Sequence, residues 1–268
     1  MLLCGFNIKS YQQLARLKQL PEVDCFELDT ESLKSGLTLD KPHILRIDDI
    51  FLGASCVSLQ EQFRSFNLML NKLRPEKIVS ALAWVPGAPR RRGAPSSQIF
   101  LGPDTLKAIY ERIDVVEDTL SMNICLENIA SPFGWSDQGM NEFDLAAEIS
   151  SQTSSQLALD LNAAYLSSIH GDFDLDSQLR KLSPQSVSHF SLSLPMNSSD
   201  LPQLGGRFRN ATQELWGLVA TASKILSRDE AKRLIFRTPK DFNPIEEAQL
   251  VHWARVLGTV SGTTQARI

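Results

Sequence analysis

Histidine is scarce in this chain: there are four among 268 residues, His43, His170, His189 and His252. That leaves little imidazole for a metal centre of several ions. Cysteine is as thin. Cys4, Cys25, Cys56 and Cys125 stand singly, and without a C-x-x-C pair a zinc knuckle and a thioredoxin-type motif are both excluded. Cys4, Cys25 and Cys125 fall in apolar runs, where thiols act as small buried hydrophobes. A basic excess is also missing: 27 Lys+Arg against 31 Asp+Glu give a net charge of −4, unlike a general nucleic-acid binder. No apolar run approaches the ~18 residues of a membrane span. The opening Met1-Leu2-Leu3-Cys4-Gly5-Phe6 lacks a basic n-region and a cleavage signature. A reduced, cytoplasmic protein with neither nucleic-acid nor membrane partners is expected.

What is present is alternation. Short, near-continuous apolar runs cover 2–7, 24–29, 43–47, 77–84, 123–128, 157–162, 187–195 and 233–238, as expected of parallel strands covered on both faces. Amphipathic stretches lie between them at 11–20, 59–73, 105–120, 142–150, 175–182, 213–226 and 245–256. Residues 30–37 offer at most a turn of helix. In the stretch after Ser58, Phe63, Phe66 and Leu70 recur on one helical face. Eight strands alternating with helices over ~250 residues predict an α/β fold of the (β/α)8 TIM-barrel type. A doubly wound sheet would carry a Gly-rich phosphate loop after its first strand, and Gly5 stands alone there. With no linker, repeat or low-complexity tract, the economical reading is one domain over 1–268.

Barrel enzymes place their chemistry where strands end. Those positions are Asn7, Glu27, Asp29, Arg46, Trp84, Glu127, Asn128, Asp160, Asn162, Ser191, Ser193 and either Phe236 or Arg237. Glu127-Asn128 and Asp160-x-Asn162 end neighbouring strands, so two carboxylates and two amides face one cavity. Buried carboxylates need a cation, a metal or a proton beside them. Among the histidines, His43 and His252 read as structural and His189 as lying early in its strand, far from the mouth. His170, in a loop after Asp160-x-Asn162, is the imidazole that joins Glu127 and Asp160 as a candidate metal ligand. The side-chain amides of Asn128 and Asn162 serve either binding or the bracing of strand ends through buried hydrogen bonds. Two polar loops, 85–97 with Arg90, Arg91 and Arg92, and 196–209 with Gly205-Gly206, would form the rim. The arginine run reads as a solvated face or as an anion or peptide clamp.

Several segments together resemble a known family. Cys125-Leu126-Glu127-Asn128-Ile129-Ala130-Ser131, Glu142-Phe143-Asp144-Leu145-Ala146 and Leu159-Asp160-Leu161-Asn162-Ala163-Ala164-Tyr165 are similar to "L-E-N-x-x-S", "E-x-E-F-L" and "L-L-D-V-N-N-x-Y" of the multinuclear non-heme iron-dependent oxidases typified by the methanobactin-biosynthesis oxidase. His170-Gly171-Asp172-Phe173 resembles the "N-H-G-F-D" that follows there, and Glu27-Leu28-Asp29-Thr30-Glu31 resembles "E-V-x-x-E-N". The resemblance implies a xylose-isomerase-like barrel. It also implies action on cysteines of ribosomally made precursor peptides, often with a partner protein that recruits the peptide.

The departures fall on the ligands the family uses. Arg46 stands at the His of "L-H-G", and Ser80-Ala81-Leu82 at "S-E-H-L". Phe190-Ser191-Leu192-Ser193-Leu194-Pro195 stands at "I-H-L-A-G-H", Gly205-Gly206-Arg207-Phe208 at "D-x-H-G", and Phe236 at the glutamate of "L-I-E-W-D". Carboxylates and imidazoles cannot become Phe, Ala or Arg and keep the ion. The resemblance therefore implies a degenerate member with Glu127, Asp160 and His170 left as metal ligands if an ion, iron or zinc, is held. No cofactor is expected otherwise. Arg46 is expected to pair with Glu127 or Asp160 where the family keeps metal, with Arg207 or Arg237 as further sources of charge. The favoured reading is a metal-poor or metal-free binding or scaffold protein for a precursor peptide or partner protein, with Arg46, Asn128, Asn162 and Arg90–Arg92 as binding residues. The alternatives are a metal-dependent oxidoreductase on a precursor peptide and, from fold analogy alone, a sugar-phosphate isomerase or epimerase.

Overall fold

A computed structural model of the protein describes residues 2–29, 39, 41, 43–47, 56–81, 103–128, 141–194, 211–226, 231–238 and 244–263. Eight strands close into a barrel in sequence order: β1 Leu2–Ile8, β2 Val23–Asp29, β3 His43–Ile47, β4 Lys77–Ala81, β5 Ile124–Glu127, β6 Gln156–Asp160, β7 Val187–Ser193 and β8 Lys232–Arg237. Every neighbouring pair is parallel, including β8 with β1. The described helices are α1 Tyr11–Leu17, α2 Cys56–Leu73, α3 Pro103–Leu120, α4 Glu142–Gln152, α5 Leu161–Gly171, α6 Leu175–Lys181, α7 Ala211–Leu226 and α8 Pro244–Thr263. The TIM-barrel expectation is met. The segment 30–37 lies outside the described residues.

Side chains alternate between the two faces of each strand. The outward faces carry Phe6, Phe26, Phe190 and Phe236, all fully buried beneath helices. Phe236 packs 5.4 Å from Phe6 and 6.1 Å from Trp216 between ring centroids. On α2, Phe63 and Leu70 are buried and Phe66 packs against them, as their spacing predicts. The inward faces form layers. A middle layer of Cys25, Ile44, Val79, Cys125, Ala158 and Ile235 makes a separate apolar cluster. Gly5 belongs to it: a Cβ there would lie 2.5 Å from both Cys25 Sγ and Ile235 Cδ1, so glycine is what lets the layer close.

One element differs from expectation. The sequence reads 161–173 as the end of a strand and a loop, but β6 passes at Asp160 directly into α5. Asp160 is the helix N-cap, its Oδ1 accepting from the Ala163 N–H at 2.9 Å. A carboxylate that satisfies an orphan N–H of the first turn starts a helix without any intervening loop.

Candidate site at the barrel mouth

Two residues beyond the apolar layer, the inward positions turn polar. Asn7 sits opposite Glu27 in the β1–β2 register, Ala81 opposite Glu127, Asp160 opposite Ser191 and Ser193 opposite Arg237. Asn7, Glu27, Glu127 and Ser191 are buried. The centre of the group is Arg237. Its Nε and Nη2 donate to Glu27 Oε1 and Oε2 at 2.9 and 2.8 Å, a bidentate fork. Nη2 also makes an ion contact with Glu127 Oε1, and Nη1 donates to Asp160 Oδ2 at 3.2 Å. One guanidinium thus joins carboxylates from β2, β5 and β6. Arg46 supplies the second cation, its Nη2 and Nε donating to Glu127 Oε2 at 2.7 and 3.2 Å. Asn7 Nδ2 donates to Glu27 Oε1 at 2.8 Å.

The electrostatics follow from burial and these contacts. Burial alone would raise Glu27, but the charge and hydrogen bonds of Arg237 override it and hold the carboxyl at about 2. Glu127 is likewise held below its ordinary range: burial opposes ionisation, while Arg237 and Arg46 outweigh it. Asp160 goes the other way. Burial and the neighbouring Glu127 carboxylate push it up to about 6, against the pull of Arg237. The three carboxylates outnumber the two guanidiniums, and Asp160 is where the excess negative charge is felt.

Several sequence expectations are now placed. Arg46 does meet Glu127. At the end of β8 the mouth residue is Arg237, while Phe236 packs outward. His189 does not lie remote from the site. It is fully buried in the barrel interior beside Ala158, and burial lowers it to about 4 despite the nearby Glu27 and Glu127. The signal was available: His189, Ser191 and Ser193 share one face at period 2. Its Nδ1 lies 3.0 Å from Ser188 Oγ, while Nε2 has no hydrogen-bond partner among the described residues.

The trio of Glu127, Asp160 and His170 is not brought together. His170 is in the last turn of α5, ten residues beyond the Asp160 cap, which at 1.5 Å per residue puts its backbone roughly 15 Å away along the helix. Its side chain lies outside the described residues. Asn128 and Asn162 brace the backbone. Asn128 Nδ2 donates to the Asp160 carbonyl at 3.1 Å and its Oδ1 accepts the Asp160 N–H at 2.7 Å. Asn162 clamps Ser193 in the same way at 2.8 and 2.7 Å. Each amide ties a strand end to the next strand, with one hydrogen bond at each of its polar atoms. Trp84, Arg90, Arg91, Arg92, Arg207 and the rim segments 85–97 and 196–209 lie outside the described residues.

A metal ion needs lone pairs that nothing else holds. Here both oxygens of Glu27 and both of Glu127 face guanidinium groups, and both of Asp160 are engaged by Arg237 and the helix cap. Among the described residues no three His, Cys, Asp or Glu side chains are grouped to hold one ion. The described residues of the mouth, taken by themselves, do not fit a multinuclear iron cluster.

Comparison with known proteins agrees with this barrel. The chain is similar in structure to an L-ribulose 3-epimerase, with a TM-score of 0.60 at 12% identity, covering 100% of this chain and 99% of the other. It is also similar to 3-keto-D-glucoside 4-epimerase from E. coli, with a TM-score of 0.55 at 15% identity over 96% of this chain and 100% of that one. A putative xylose isomerase from Rhodospirillum rubrum gives a TM-score of 0.52 at 13% identity, over 97% and 99%. At such identities the likeness concerns the fold, a xylose-isomerase-like TIM barrel. In sequence, the chain is 30% identical over 199 residues to a UPF0276 protein of Chromobacterium violaceum, covering 71% of this chain and 72% of the relative. Residues 52–222 match the model of the "RiPP precursor modification enzyme MbnB/TglH/ChrH" family, and with that extent of match the chain belongs to this family of enzymes acting on ribosomally made precursor peptides.

Proposed function

We propose that this protein is a metal-free member of its family, a binding or scaffold protein for a precursor peptide or a partner protein and not an iron oxidase. The observation that carries the reading is the Arg237 guanidinium set among Glu27, Glu127 and Asp160, with Arg46 on Glu127. Arginine is charged at every physiological pH and cannot donate a lone pair. It neutralises carboxylates while giving an iron ion nothing to bind. The peptide partner comes from the family, and the basic run Arg90-Arg91-Arg92 in the sequence would suit an acidic peptide. The near-neutral charge balance fits a protein with no nucleic-acid partner, the unpaired cysteines fit a reducing, cytoplasmic setting, and no described helix is long and apolar enough to cross a membrane.

The test is elemental mass spectrometry on chain expressed with iron supplied and purified without chelator. Far less than one iron or zinc per folded chain is expected. One or more tightly held ions per chain, lost in Asp160→Ala, would restore the oxidase reading.

A further inference from the structure

We propose that the outer face of α7 and α8 is a self-association surface whose occupant is a second copy of this chain, paired about a two-fold axis with Trp253 of each copy seated over Gly217 of the other. This goes beyond the metal-free reading and does not depend on it.

Helices around a barrel cover it with one face and meet water with the other, and the watered face is normally polar and charged. α3 follows that rule: its exposed residues are Asp104, Lys107, Glu111, Asp114 and Asp118. α8 does not. Its described exposed residues are Ala248, Gln249, His252 and Trp253, without a carboxylate, lysine or arginine. Trp253 is 54% exposed, although Leu250, Val251 and Ala254 already supply the buried stripe. Its ring lies 6.4 Å from that of the half-buried Trp216 on α7, so the two indoles form one aromatic surface across both helices. Tryptophan is the residue type that most often anchors protein interfaces. Beside Trp216 stands Gly217, exposed, where an added Cβ would meet nothing within 4 Å. A mid-helix glycine costs about 1 kcal/mol relative to alanine, and packing within this chain does not require it. The face therefore carries a projecting ring and a gap, the two halves of a self-complementary contact, as a two-fold interface needs. Charge selects the same occupant. The chain carries a net −4, and copies meeting through an acidic face such as that of α3 would repel. Among the described residues, the α7–α8 face has no exposed carboxylate. Arg255 is held by Asp24 and the Glu22 carbonyl, and Lys224 lies about two turns beyond Trp216. A strongly charged partner would find little counter-charge here, while an identical neutral face meets no repulsion.

The experiment is sedimentation equilibrium of the full chain from about 1 to 200 µM, repeated with Trp253→Lys and Gly217→Arg, each checked for a retained fold by circular dichroism melting. A face of two helices a side is small for a protein interface, so a monomer–dimer equilibrium in the micromolar range is expected. Trp253→Lys removes the ring and sets like charges beside each other, and should weaken pairing more than about tenfold. Gly217→Arg fills the gap with a good helix former, so it should weaken pairing as much while melting no lower than the native chain. Glu111→Lys, on α3 across the barrel, should leave the equilibrium unchanged, and raising NaCl should not dissociate an uncharged interface. If Trp253→Lys does not fold, Gly217→Arg decides alone. A chain that stays monomeric throughout, assembles to a number other than two, pairs as well after Gly217→Arg or Trp253→Lys, or pairs less after Glu111→Lys or in high salt overturns the proposal. None of these results bears on metal content, which tests the metal-free reading by itself.

Discussion

Arginine–carboxylate pairs of nearly equal length occur in two regions of this molecule under opposite conditions. In the barrel mouth, Arg237 Nη2 lies 2.8 Å from Glu27 Oε2, with the two side chains 10% and 0% exposed. On the outer surface of α6, Arg180 Nη2 lies 2.9 Å from Asp176 Oδ2, with 57% and 44% exposed. The contact is chemically the same, and its consequences differ because of what surrounds it. Water screens the α6 pair, whose partners are adequately solvated apart. The mouth cluster is closed below by the apolar layer of Cys25, Ile44, Val79, Cys125, Ala158 and Ile235, so removing one charge strands the others where they cannot be hydrated. Such a cluster is a constraint: it need not stabilise more than a well-packed apolar centre, but it cannot be taken apart one residue at a time.

The largest expected effect is that of Arg237→Met, which keeps volume and removes charge. It should cost about 3–5 kcal/mol in urea denaturation, and Glu27→Gln added to it should recover a substantial part. A loss below about 1 kcal/mol would erase the distinction between the two regions.

Next comes a pH effect within the cluster. Asp160 has a folded pKa raised to about 6 from 3.8, so the folded state holds this proton more tightly. The stability it contributes is present below about pH 4 and is lost as pH rises through 6. That displacement corresponds to roughly 3 kcal/mol at most. Asn caps helices about as well as Asp, so Asp160→Asn should gain stability relative to the native chain from pH 4 to pH 7. A difference that stays flat across that range would show that Asp160 does not carry the excess charge. Glu27, held at about 2, acts with opposite sign: its contribution is present above about pH 4.5 and is lost as pH falls through 2.

The floor of the cluster is sharpened by Gly5→Ala. The added methyl meets Cys25 Sγ and Ile235 Cδ1 at 2.5 Å, and both neighbours are fully buried, so overpacking should cost about 1–3 kcal/mol. A neutral result would mean that the middle layer yields, and would weaken the claim that it seals the mouth. Arg180→Ala on α6 completes the series at no more than about 0.5 kcal/mol, read as an unchanged urea midpoint.

Much of this was legible beforehand. The eight apolar runs and their alternation with amphipathic stretches specify the barrel, since strand and helix periods are local properties of the chain. The ends of those runs also mark Glu27, Glu127 and Asp160 as polar residues at strand ends. The failures are specific. The 161–171 helix is hidden in the sequence because its start signal is Asp160 itself, a residue that the apolar run assigns to the strand, and the sequence therefore reads His170 as part of a loop near the mouth. The choice between Phe236 and Arg237 turns on a single-residue register, which flips a side chain from the interior to the helix-covered face. Asn128 and Asn162 look like ligand contacts until the neighbouring strand's backbone is seen to occupy both of their polar atoms.

The sequence by itself determined the elements, the polar character of the strand ends and the family, because each depends on residue types at short spacings. The tertiary structure decided that Arg237, separated by 210 and 77 residues from Glu27 and Asp160, sits among their carboxylates, and that His189 lies inside the barrel with them. Barrel closure brings β8 back to β1 and turns every inward side chain toward one axis, where a long guanidinium reaches three strands at once. That convergence depends on closure and register, which no local run of residues encodes.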